Sequence, residues 1–140
     1  MNVWLCPVKP KSWRVIKKSK VFGVPRNNSL IERVRPGDLL VIHVFKPING
    51  IIAICKVVSE VYEDYSDLWG KGRYPMRVKI HLDQKFLLDE SNAIPLSYLF
   101  SKNVSNDVEI EPYLRNIWIT KISQDEYKIL EEHFKNRCFV

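Results

Sequence analysis

Two large rings stand beside glycines in this chain: Phe22 in VFGVP and Trp69 in LWGKG. Both stretches read as loops, and loops carry binding groups on a rigid scaffold. Two rings facing across a cleft can sandwich a flat heterocycle, a stack worth about 1–3 kcal/mol per base and tolerant of base identity. An adjoining glycine such as Gly23 lets backbone amides approach a base edge with no Cβ in the way. The competing reading is core packing, where most large rings end up. Trp4 and Trp118, in strand-like runs, are assigned to it.

An acidic group, Glu63, Asp64 and Asp67, lies beside Tyr62, Tyr65 and Trp69. Three roles are open to it. Aspartates cap turns; a carboxylate such as Asp64 could accept a hydrogen bond from a base's exocyclic amine; or a pair could do acid–base work, with Lys71 and Arg73 nearby. No GxSxG or Cys-His nucleophile pattern is present. His43, His81 and His133 share no ligand spacing, which speaks against a metal, and His43 reads as a hydrogen-bonded core residue. The GKG at 70–72 lacks the strand and helix of a phosphate loop and reads as a turn. No catalytic residue, metal or cofactor is therefore expected. The three cysteines are odd in number and form no CxxC pair, so neither a disulfide framework nor a zinc site is expected. Cys6 and Cys55 lie in apolar runs and read as small core residues, whereas Cys138 stands near the end of the chain.

These residues need a scaffold. VWLCPV (3–8) reads as a strand, and Ser12 as the cap of a short helix through about Lys20. On that helix Arg14, Lys17 and Lys18 share one face, and Trp13 and Ile16 share another. Gly23, Pro25 and the asparagine pair 27–28 mark a loop. VRPGD (34–38) has the chemistry of a type II turn, and it leads into DLLVIHVF, the hairpin loop KPING and the partner IIAICKVV (51–58). Two neighbouring strands apolar on both faces suit the middle of a closed or strongly curled sheet. MRVKIHL (76–82) alternates, with Met76, Val78, Ile80 and Leu82 inward and Arg77, Lys79 and His81 outward. Pro95 opens a short helix through Phe100, 101–112 reads as a loop, and IWITKI (117–122) as a strand. SQDE (123–126) is a capping box for a last helix that buries Tyr127, Leu130 and Phe134, with Ile129 beside them.

The whole is an α+β pattern in a single domain spanning 1–140, with no repeat or linker. No run approaches the ~20 apolar residues of a membrane span, and no signal peptide is legible, so a soluble cytoplasmic protein is expected. Charge is uneven. Residues 1–48 hold ten Lys/Arg against two Asp/Glu, a surplus of +8, while 49–140 hold twelve against fourteen, or −2. A basic half suits a polyanionic partner, though it also suits a solvated surface.

In order along the chain, NVWLC, SWRVIKKSKVFGVP, VRPGDLLVIHVF, GIIAICKVVSEVYEDYSDLW, YPMRVKI and ISQDEYKIL resemble the EVE domain family, of the PUA-like group that also holds YTH and ASCH domains. The resemblance covers most of the chain outside 83–116. It implies a PUA-like mixed β-barrel with flanking helices, and a pocket that accepts a nucleobase, often modified and swung out of its strand. Mapped onto this sequence, it implies Phe22 and Trp69 as the pocket walls, with the Gly23–Val24 backbone along its edge. Pro25 would fix the exit of the loop, Trp13 and Tyr74 would be supports, and Arg14, Lys17, Lys18 and Arg26 would hold phosphates of RNA or DNA. Phe22 stands where the family commonly has Trp, a smaller ring without an indole N–H. A methyl in an apolar pocket gives about 1–3 kcal/mol, so such a reader prefers its mark without excluding the plain base. A non-catalytic nucleic-acid-binding module is the implied function; ASCH relatives imply the alternative, an enzyme that processes RNA or nucleotides.

Overall fold

At VRPGD, the Arg35 carbonyl accepts the Asp38 N–H at 3.0 Å, and Gly37 sits at φ +95°. That backbone suits glycine, as a type II turn requires. The Asp38 side chain then ties the turn to the first strand. It accepts the Asn2 N–H (3.0 Å), Trp4 Nε1–H (3.1 Å) and the Arg35 N–H (3.0 Å). Burial alone would raise this carboxyl's pKa, but those three donors outweigh it and hold the group below its usual range.

The computed structural model describes residues 1–99 and 117–138. Seven strands, β1 (Val3–Val8), β2 (Val21–Val24), β3 (Leu39–Val44), β4 (Gly50–Val57), β5 (Tyr62–Glu63), β6 (Met76–Leu87) and β7 (Thr120–Ile122), form one mixed sheet. Its order is β2-β6-β4-β3-β1-β7, with β5 on β6. β1 and β3 are parallel, and the other pairs are antiparallel. Helix α1 (Pro10–Ser19) follows β1, and helix α2 (Gln124–Cys138) ends the described chain.

Alternation sorts the strands onto two cores. Trp4, Cys6 and Val8 of β1 join Leu40, Ile42 and Val44 of β3 and the Trp13–Ile16 stripe of α1. Val3, Leu5 and Val41 face the other way, onto Leu130 and Phe134 of α2. The parity of β4 breaks once. The β3–β4 register shifts between Ile42 and His43, so that Ile52 and Ala53 both serve the first core. The capping box forms in both directions, Glu126 N–H to Ser123 Oγ (3.1 Å) and Ser123 N–H to Glu126 Oε1 (3.0 Å). Cys6 and Cys55 are buried, and burial pushes the thiol pKa of Cys55 up to about 12.

Several sequence expectations are corrected. Pro10 opens α1, with extended Lys9 before it, and Ser12 lies inside the first turn. Proline at that position lacks only an N–H that the helix would leave unpaired anyway. VFGV is a strand, because β6 offers it a partner across Phe22↔Val78 and Gly23↔Arg77. Arg77, expected outward, is fully buried. His43 is buried, but its Nδ1 has no hydrogen-bond partner among the described residues, and burial lowers its pKa to about 4. Ile129 is 43% exposed, because only the Leu130–Phe134 side of α2 meets the sheet. The expected helix after Pro95 is a single 3-10 turn, Leu96–Tyr98. Phe100, the loop expected at 101–112 and the Cys138 side chain lie outside what is described.

Candidate functional site

Gly23 of β2 lies in the floor of a cleft. Gly23 pairs with Arg77, which pairs on its other side with Tyr62 of β5. The segment 64–75 folds over this row. It is wound through positive φ at Gly70 (+96°), Lys71 (+50°), Gly72 (+67°) and Tyr74 (+54°), and the Gly70 carbonyl accepts the Arg73 N–H at 3.0 Å. GKG is thus a turn. Tyr74 in this region is costly for a side chain with a Cβ, and such strain persists only where surroundings enforce it.

Arg77 is the enforcer. Its Nε donates to the Tyr74 carbonyl (3.0 Å), Nη1 to Ser66 Oγ (2.8 Å), and Nη2 to the Ser66 (2.6 Å) and Arg73 (3.4 Å) carbonyls. Asp64 Oδ1 lies 3.5 Å from Nη1. The guanidinium carbon also sits 5.2 Å from the Trp69 ring centroid, a cation–π distance. A planar fork of five N–H groups can serve this many acceptors at once. Gly23 completes the seat. A Cβ there would stand 2.6 Å from the Tyr74 carbonyl oxygen and 3.1 Å from Trp69 Cη2 and Cζ3.

The cleft above this floor holds about 120 Å³ and is lined by Pro7, Val8, Lys9, Ser12, Ile16, Gly23, Phe45, Trp69, Tyr74, Ile117 and Trp118. That is somewhat less than the apolar cavity of about 150 Å³ that accepts benzene, so a flat ring would be held only in part, with the rest at the open mouth. Tyr74 joins the two indoles, with its ring centroid 5.6 Å from Trp69 and 4.9 Å from Trp118. The described lining contains no Asp, Glu, His or Cys.

Of the residues singled out in the sequence, the cleft gathers Gly23, Trp69 and Tyr74. Phe22 is not a wall. It is 1% exposed and packs inside the first core, because it alternates with Gly23 along β2 and points to the opposite face. Val24 (0%) and Trp13 (2%) are core as well. Asp64 caps a turn through the Ser66 N–H (2.8 Å), which holds its carboxyl below the usual range, and it stays outside the lining. Arg14, Lys17 and Lys18 are exposed on α1; Arg26 is exposed too, 3.4 Å from Glu63. Trp118, expected in the core, lines the cleft instead. Lys9, Ser12, Phe45 and Arg77 were missed. Arg77 could have been flagged by its place two residues after the Tyr-Pro that ends the aromatic loop.

A curled mixed sheet with helices on both faces and an aromatic cleft at one end defines a PUA-like barrel. Solved structures of similar fold agree. Rpa0253 from Rhodopseudomonas palustris has a TM-score of 0.65 at 20% identity, covering 95% of this chain and 92% of that one. Human THYN1, solved in complex with 5-methylcytosine-containing DNA, has 0.64 at 15%, covering 96% and 98%. The MmI1 YTH domain has 0.61 at 13%, covering 94% and 93%. At these identities the likeness is one of fold.

The chain belongs to the EVE domain family, whose model matches residues 2–133. It is also 32% identical over 146 residues to UPF0310 protein PH1033 of Pyrococcus horikoshii, covering 94% of this chain and 98% of that protein. No helix among the described residues is long and apolar enough to cross a membrane.

Proposed function

We propose that this EVE domain is a non-catalytic nucleic-acid-binding module that takes one nucleobase, flipped and optionally methylated, between the rings of Trp69, Tyr74 and Trp118. The observation that carries this reading is the cleft itself, an apolar space walled by four aromatic side chains, Phe45, Trp69, Tyr74 and Trp118, at the first turn of a basic helix. THYN1, of the same fold, was solved with methylated DNA, which supports nucleic acid as the ligand class. Flipping a base costs a few kcal/mol, and stacking returns about 1–3 kcal/mol for the base. Phosphate contacts must therefore provide much of the net affinity. Arg14, Lys17 and Lys18 extend from the cleft mouth along α1, which is about 15 Å long.

Titration of short single-stranded RNA and DNA, each against an abasic control, tests this. Trp69→Ala removes the preference for a base over the abasic site and leaves salt-sensitive affinity. Lys17→Glu with Lys18→Glu weakens all sequences alike and flattens the salt dependence. Unchanged preference in Trp69→Ala refutes the cleft; turnover of the strand favours the enzyme reading.

A further inference from the structure

The charges around the cleft separate two kinds of modified base. Methylation can leave a base neutral, as at carbon 5 of cytosine, or fix a positive charge on it, as at ring nitrogen 3. An aromatic cage suited to cations offers electron-rich ring faces with no competing positive charge. This cleft is built the other way. The guanidinium of Arg77 already lies 5.2 Å from the Trp69 centroid, outside the cleft lining and fully buried, so one cation is permanently seated on that indole. Lys9 at the mouth adds a second positive charge. Opposed to them is the carboxylate of Asp64, 3.5 Å from Arg77 Nη1; it is half-exposed and does not line the cleft. The described lining offers no carboxylate of its own.

We infer that the cleft is selective by charge, admitting neutral planar heterocycles and rejecting bases that carry a fixed positive charge. This rests on the base-binding reading and narrows it. Arg77 withdraws electron density from the ring on which the guest stacks, and the buried charge is poorly screened. A neutral base loses nothing from that arrangement, while a cationic one meets repulsion with no counter-ion among the described residues of the wall.

The test uses positional isomers in one short single-stranded DNA. One strand carries 5-methylcytosine and the other 3-methylcytosine, protonated at neutral pH; an abasic strand is the reference. N6-methyladenine and 1-methyladenine give a second pair. The neutral isomer of each pair binds at least about tenfold tighter, a free-energy gap of about 1.4 kcal/mol. Lys9→Glu narrows both gaps by favouring the cationic strand; a gap arising from the altered base edge alone stays fixed in that variant. Equal or tighter binding of the cationic isomers overturns the proposal, and so does a gap unmoved by Lys9→Glu. If neither isomer exceeds the abasic strand, the base-binding reading falls and this inference with it.

Discussion

Two buried charges organise this molecule, and they do different work. Asp38 accepts three N–H groups and fastens the β1 end, Trp4 included, to the turn before β3. Arg77 donates to Tyr74, Ser66 and Arg73 and fastens a loop over a sheet. The tryptophans they govern differ accordingly. Trp4 is 2% exposed with its indole N–H satisfied. Trp69 is only partly buried, and its Nε1 has no hydrogen-bond partner among the described residues. One clamp closes the scaffold; the other holds a wall of the cleft in a conformation the backbone would not choose unaided.

Substitution can break this division. Arg77→Met has the largest expected effect, because it strips four hydrogen bonds from the partly buried loop and removes the cation from Trp69. Hydrogen bonds to a charged group are worth about 1.5–3 kcal/mol each, so the loss of several costs at least about 3 kcal/mol, to be read from chemical denaturation. Base preference should vanish with it. Asp38→Asn comes next, at about 1–3 kcal/mol; in this variant base preference persists at temperatures where the fold is intact. Its acid behaviour sharpens the contrast. The folded carboxyl titrates below its unfolded value, so its stabilisation is present above about pH 3.9 and lost as pH falls through the folded pKa. A pH–stability profile of Asp38→Asn should lack that component. Gly23→Ala falls in the same range, at about 1–3 kcal/mol from overpacking against the Tyr74 carbonyl and Trp69. It should move the Trp69 indole resonance and weaken base binding more than it lowers Tm.

The sequence was legible wherever local rules decide. The type II turn, the β3–β4 hairpin, the capping box and the buried faces of β1 and α1 follow from residue order alone. What was not legible depended on distant neighbours. VFGVP carries loop punctuation, and only the approach of β6 makes it a strand. That change sent Phe22 inward and left Gly23 as the floor. Arg77 occupies an outward position by alternation, yet segment 64–75 covers that face and buries it. Trp118 looked like core because its neighbours are β-like; it stands two residues ahead of β7 and points into the cleft.

The placement of Trp118 makes the cleft depend on a pairing between distant parts of the polypeptide. It precedes β7, which pairs with β1, Val3 lying against Ile122. A polypeptide emerging from the ribosome would already contain Trp69 and Tyr74, yet lack the last wall and the strand that docks it. The cleft would therefore be complete only once β7 has been made and paired with β1, and under the proposed reading an N-terminal fragment ending before Trp118 should not compete with the whole domain for its ligand.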